Sequence, residues 1–322
     1  MKRVTAKAPA NIAFIKYWGK KNESLRIPAN SSISMNLSEV FTQTSVEFSA
    51  NLKSDKVKID NLPVKGSEKV RVVRHLDMIR KLSGLNLYAD VTSNNNFPKG
   101  TGLASSASGF AALTLAAAKA AGLDLQEKKL SILARIGSGS ACRSIPSGFV
   151  EWKEGNSSEN SYAHSLYPPE YWDICDVIAV VGEVGKKVSS TEGHTLVDSS
   201  PFYKSRILEM PKKIRQLKSS FEKKDFTDFG RIIEAEAINM HSVMMTSSPA
   251  LYYWTPKTME VMLAVVEWRD KELECYFTID AGPNVHIMCL AKYAQKVKNQ
   301  LKKISGIKRI IINNPSIGAR LI

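Results

Sequence analysis

Polar and apolar positions alternate over 45–50 (SVEFSA) and 56–60 (KVKID), and Asn61, Leu62 and Pro63 punctuate them, so residues 2–65 read as strand-rich. The period turns helical over 67–83, stops at Gly84, and gives way to a strand over 87–92. From Leu103 the apolar positions Leu103, Ala107, Phe110, Leu113 and Ala117 keep helical spacing up to Gly122. A helix over 126–136 then runs into Gly137-Ser-Gly-Ser, and 148–152 resumes as a strand. The continuous apolar run DVIAVVGEV at 176–184 predicts a buried strand, beyond which long helices are expected over 201–220, 225–244 and 256–271. Strands over 275–280, 285–290 and 308–313 and a basic helix over 292–303 complete the chain. This order predicts an α+β protein of two layered domains, 1–185 and 186–322, meeting at a cleft.

Composition narrows the function classes. The apolar stretch over 110–118 is interrupted by Thr114 and is about half the ~18 residues a membrane span needs, so no membrane partner is expected. The first twenty residues lack a signal-peptide core, and Cys142, Cys175, Cys275 and Cys289 form no C-x-x-C pair. Reduced thiols and a cytoplasmic location follow as expectations. The formal charge of +14 directs attention to anionic partners. Its basic runs at 212–218 and 292–303 lie along helix faces without a base-reading motif, so nucleic acid is not expected and a phosphorylated small molecule is.

Four segments carry chemistry. Residues 98–109 (PKGTGLASSASG) open a helix with small residues, which suits either a phosphate cradle at a helix N-terminus or a serine-rich helix cap. Residues 137–144 (GSGSACRS) end in Arg143, either a guanidinium for a carboxylate or phosphate or a solvated side chain on a surface turn. Asp280 stands at the end of an apolar strand before a Gly-Pro turn, as a fixed carboxylate or a turn former. Lys16 interrupts an apolar run, where burial demands a partner.

Taken together, APANIAFIKYWGK at 8–20, SSISMNL at 31–37, NNFPKGTGLASSASG at 95–109, ARIGSGSACRSI at 134–145, GFVEW at 148–152, KKVSSTEG at 186–193 and YFTIDAGPN at 276–284 resemble the diphosphomevalonate decarboxylases of the GHMP kinase superfamily. The resemblance spans essentially the whole chain. It implies a GHMP kinase fold, with an amino-terminal ribosomal S5 domain 2-like half and a carboxy-terminal ferredoxin-like half. It also implies ATP- and Mg²⁺-dependent decarboxylation of (R)-5-diphosphomevalonate to isopentenyl diphosphate, Mg²⁺ being held mainly by phosphates, in a homodimer. A decarboxylase or 3-kinase acting on mevalonate 5-phosphate is the alternative.

By motif matching, the resemblance makes Asp280, Arg143 and Lys16 catalytic. Tyr17, Trp18, Lys20, Ser138, Ser140, Ser190 and His194 fall on the substrate side. Ser93, Asn95, Lys99, Gly100, Gly102, Leu103, Ala104, Ser105, Ser106 and Ser108 fall on the ATP side. His194 stands where the family commonly has methionine. It reads as either a pH-sensitive cation beside the diphosphate or a passive wall.

Overall fold

The computed structural model describes residues 1–97, 105–182 and 188–322. Its first sheet has eight strands built around Ser32–Ser49, which pairs antiparallel with Val4–Ile15, Tyr88–Asn95 and Phe149–Trp152. The alternation over 45–50 is the far end of that strand, where Val46 and Phe48 are fully buried. Gly66–Ser83, Ser105–Ala120 and Glu127–Gly137 cover one face through a shared apolar cluster. Ser105–Ala120 lies close on the sheet because Ala107, Ala111, Ala112, Ala116 and Ala117 place only methyl groups between backbone and strands.

The second sheet orders its strands Cys275–Thr278, Val285–Leu290, Ile174–Val180 and Arg309–Asn313. In Ile174–Val180, Cys175, Val177 and Ala179 pack with the helices Pro256–Asp270 and Ala294–Leu301. Ile174, Ile178 and Val180 join Phe221, Phe226 and Phe229 of the helix pair Tyr203–Lys223 and Phe226–Thr246. A strand covered on both faces reads as a continuous apolar run. This strand, on the amino-terminal side of the division expected at 185, belongs to the second sheet, paired on both sides with carboxy-terminal strands. The chain's last strand, Arg320–Leu321, returns to the first sheet beside Val4–Ile15. The phenylalanine cluster also takes in Ile12, Phe14, Ile33 and Met35, so one apolar core ties the two halves together.

Among the described residues no helix is long and apolar enough to cross a membrane. The four cysteines are free and buried.

Candidate active site

The strand Val4–Ile15 slips register against its partner between Pro9 and Asn11 and again between Ala13 and Ile15. Such bulges re-aim the side chains that follow, and Lys16 comes directly after the second. Lys16 is 1% exposed, and its Nζ donates to the Ala13 carbonyl and to Asp280 Oδ1, each at 2.7 Å. Its backbone is gripped as well. The N–H donates to Glu236 Oε1 at 3.1 Å, and the carbonyl accepts from Arg206 Nη2 at 3.4 Å and Asn30 Nδ2 at 3.1 Å. Glu236 and Arg206 are buried and 2.5 Å apart, and Lys213 Nζ reaches the other Glu236 oxygen at 3.2 Å.

Asp280 leaves the strand Cys275–Thr278 at a turn closed by the Gly282 N–H on its carbonyl, which also accepts from His241 Nε2 at 3.2 Å. Its carboxylate remains 27% exposed and faces the cleft. Burial alone would raise the carboxyl pKa. The Lys16 charge and hydrogen bond, reinforced by His286 and Arg143, outweigh that and hold Asp280 below the ordinary carboxylate range. Desolvation pulls the Lys16 ammonium down, against the pull of Asp280.

Arg143 sits on a 3₁₀ turn, Gly139–Ser144, at 2% exposure, which overturns the solvated-turn reading. Its guanidinium donates to Ser32 Oγ at 2.7 Å and to Asn11 Oδ1 at 3.0 Å from Nη2. No described carboxylate pairs with it, so its charge is free to meet a ligand's.

The cleft, about 310 Å³, brings together Lys16, Arg143 and Asp280 with Tyr17, Trp18, His194, Ser138, Ser140 and Ser190. Ser105 and Ser106 lie on its rim and also line a neighbouring cavity of about 100 Å³ that holds Ser93 and Asn95. Asn95 is fixed there by Asp60 and Thr42. Two expected positions fall elsewhere. Lys20 turns from the cleft to pair with Glu23 at 2.6 Å, because the hairpin places that carboxylate three residues on. Ser108 is fully buried against Thr42 at 2.7 Å, one helical turn inside the rim. Lys99, Gly100, Gly102, Leu103 and Ala104 lie outside the described residues.

Tyr17 packs against Gly139, where a Cβ would lie 2.6 Å from the ring, and Trp18 against Gly193, where it would lie 2.7 Å away. The Tyr17 hydroxyl is buried with no partner among the described residues, so a ligand acceptor or donor would satisfy it. His194 lies against both rings, with centroids at 4.3 and 4.5 Å, and its Nδ1 accepts from the Gly19 N–H at 2.9 Å. The ring proton is thus on Nε2. Burial first, then the Lys20 and Arg26 charges, hold its pKa well below 6.5. His194 is neutral, and the cationic reading is overturned. His194→Met is expected to leave the pH dependence of KM unaltered between about pH 6 and 8. A profile that flattens in the variant would show that the imidazole titrates after all.

Sequence reasoning missed Arg26, which lines the cleft, and the Glu236–Arg206 pair. A signal for the pair existed: Glu236 falls on the apolar stripe of its helix between Ile233 and Met240, and Arg206 lies between Tyr203 and Met210.

Comparison with known proteins places the chain in a family. Residues 8–163 fit the diphosphomevalonate decarboxylase-like N-terminal domain, and 176–314 the mevalonate 5-diphosphate decarboxylase C-terminal domain. A diphosphomevalonate decarboxylase of Debaryomyces hansenii is 35% identical over 95% of this chain and 85% of its own length. The crystal structure of mevalonate diphosphate decarboxylase from Staphylococcus aureus superposes with a TM-score of 0.95 at 38% identity, covering 100% of this chain and 98% of that one. A solved complex of MDDEF with MVAPP, AMPPCP and magnesium gives a TM-score of 0.94 at 36% identity, covering 99% and 98%. The two-sheet α+β architecture is that of the GHMP kinase fold, and the chain belongs to the diphosphomevalonate decarboxylase family.

Proposed function

We propose that Asp280, Arg143 and Lys16 are the catalytic residues of an ATP-dependent decarboxylation that converts (R)-5-diphosphomevalonate to isopentenyl diphosphate, ADP, phosphate and carbon dioxide. The observation that carries the assignment is the Lys16–Asp280 pair, with the unpaired Arg143 guanidinium lining the same cleft. The Asp280 carboxylate, ionised at neutral pH, accepts the hydrogen bond of the C3 hydroxyl and orients its oxygen toward the γ-phosphate of ATP. Held below the ordinary range, Asp280 is a weak base. It takes the proton as the new P–O bond forms and ADP leaves. The C3–O bond then breaks with phosphate departing, and the C1–C2 bond gives its electrons to a C2–C3 double bond as carbon dioxide is lost. Arg143 holds the carboxylate until that step, and Lys16 keeps Asp280 charged.

The neighbouring cavity suits ATP by its lining. Val57, Ile59, Val91 and Phe110 offer apolar surface for a flat base, and Ser105 and Ser106 join it to the catalytic cleft. Mg²⁺ would be held mainly by the phosphate oxygens of ATP and the substrate. Bound there, Mg²⁺ neutralises phosphate charge.

Purified protein given ATP, Mg²⁺ and each of mevalonate, its 5-phosphate and its 5-diphosphate is expected to release ADP and carbon dioxide together, fastest from the diphosphate. ADP without carbon dioxide would identify a 3-kinase, and faster turnover of the monophosphate would reassign the substrate. The proposed setting is a cytoplasmic homodimer, supported by four free cysteines and by the exposed apolar row Met259, Leu263 and Val266 on one helix. Sedimentation at the monomer mass would remove the dimer.

A further inference from the structure

Among the described residues lining the cleft, the charged side chains are Lys16, Asp280, Arg143 and Arg26. Lys16 and Asp280 neutralise each other. Two guanidiniums remain, both near Tyr17 but anchored apart. Arg143 is bonded to Asn11 and Ser32 and acts on Lys16 and Asp280, whereas Arg26 is bonded to the Ile136 carbonyl and acts on His194 and Lys20. A substrate with a carboxylate at one end and a diphosphate at the other needs a cation at each end. Lys20, the residue motif matching assigns to the diphosphate, is paired with Glu23 and does not line the cleft.

Arg26 is held in place by its surroundings. It closes the turn between the short strands Lys20–Asn22 and Ile27–Pro28. Its φ of 49° is in the left-handed region, where a long side chain is disfavoured, so the turn is held from outside. Two residues hold it. Asn22 Oδ1 accepts from Ser24 Oγ and the Leu25 N–H, and the buried Arg135 donates through Nε to the Leu25 carbonyl at 3.0 Å. Arg26 itself donates through Nε to the Ile136 carbonyl at 3.0 Å, in the last turn of the helix Glu127–Gly137. If Arg26 only capped that helix, this one bond would be its whole function. The bond occupies Nε alone, however, and among the described residues no carboxylate or other acceptor takes Nη1 or Nη2. An arginine anchored at Nε and free at both Nη atoms presents the planar edge that grips two phosphate oxygens at once. Ser138 and Ser140 on the same cleft add hydroxyl donors.

We propose that Arg26 binds the diphosphate end of the substrate and sets the preference for a 5-diphosphate over a 5-monophosphate. The assignment rests on the decarboxylase reading above. In Arg26→Gln, KM for 5-diphosphomevalonate should rise about tenfold or more, with the loss concentrated in KM rather than kcat. The ratio of kcat/KM between diphosphate and monophosphate should fall by a similar factor. A KM within about twofold of wild type, or a loss confined to kcat, would overturn the proposal.

Binding of inorganic pyrophosphate, measured by calorimetry on wild type and variant, separates this proposal from its parent. Wild-type protein that yields no carbon dioxide from the diphosphate overturns the decarboxylase reading. Pyrophosphate affinity unchanged by Arg26→Gln overturns the role of Arg26 whichever reaction is catalysed. Should Arg26→Gln fail to fold, Arg26→Lys carries the same test, since it keeps the charge and loses the fork. A loss of about threefold or more in pyrophosphate affinity is then expected, and wild-type affinity rejects the proposal.

Discussion

Asp280→Asn is expected to lower turnover by about 10²–10⁴-fold, the range a positioned base supplies. The amide is nearly isosteric, so Lys16 Nζ still finds an acceptor at the position of Oδ1, 2.7 Å away in the native protein. What disappears is the negative charge proposed to orient the C3 hydroxyl and the site proposed to receive its proton. Lys16, buried and already pulled toward neutrality by desolvation, loses the charge that opposed that pull. ATP binding, proposed for the neighbouring cavity, should survive. The measurement is ADP and carbon dioxide release at saturating substrate, with nucleotide affinity and circular dichroism on the same preparation. More than about a tenth of wild-type turnover would remove Asp280 from the chemistry.

Arg206→Met should have the largest effect on stability, about 3–5 kcal/mol, because it removes the nearer of two cations from a fully buried carboxylate and leaves only Lys213. Burial would raise the Glu236 carboxyl pKa, but Arg206, then Lys213 and the Lys16 N–H, hold it below the ordinary range. A group depressed in the folded state stabilises at neutral pH, and its contribution fades as pH falls through the carboxylate range. Chemical denaturation at neutral pH should therefore show the whole loss, and acidic conditions a smaller one. The double variant Arg206→Met with Glu236→Leu should recover much of it, since no charge is left unpaired. A loss below about 1 kcal/mol in the single variant would mean that Lys213 alone suffices for Glu236.

Regular elements were legible wherever one period ran unbroken, as in Phe226–Thr246, expected over 225–244, and Pro256–Asp270, expected over 256–271. Ile174–Val180 was legible as a strand but not as a member of the second sheet. Apolarity reports burial on both faces, whereas its partners lie more than a hundred residues further along. Asp280 and Lys16 were visible as polar breaks in apolar runs. The fixing of Arg143 was not, since Asn11 and Ser32 are 132 and 111 residues away in the chain. Arg26 was hidden among the polar residues of a turn, where a solvated side chain and a ligand-facing one have the same sequence signature.

The grip on Lys16 also bears on how the molecule can move. Its N–H and carbonyl are bonded to the helix pair through Glu236 and Arg206, and its Nζ to Asp280 beyond the second sheet. A fulcrum is a point where two levers share a bearing, and Lys16 has that form: an amino-terminal residue bonded to its own strand end and to Asn30 on one side and to the carboxy-terminal half on the other. Any rotation of one half against the other that preserves these bonds swings about Lys16. Displacement is then least at the Lys16–Asp280 pair and grows with distance toward the serine rim. Such a rotation would widen or narrow the cleft mouth while the reacting end kept its spacing.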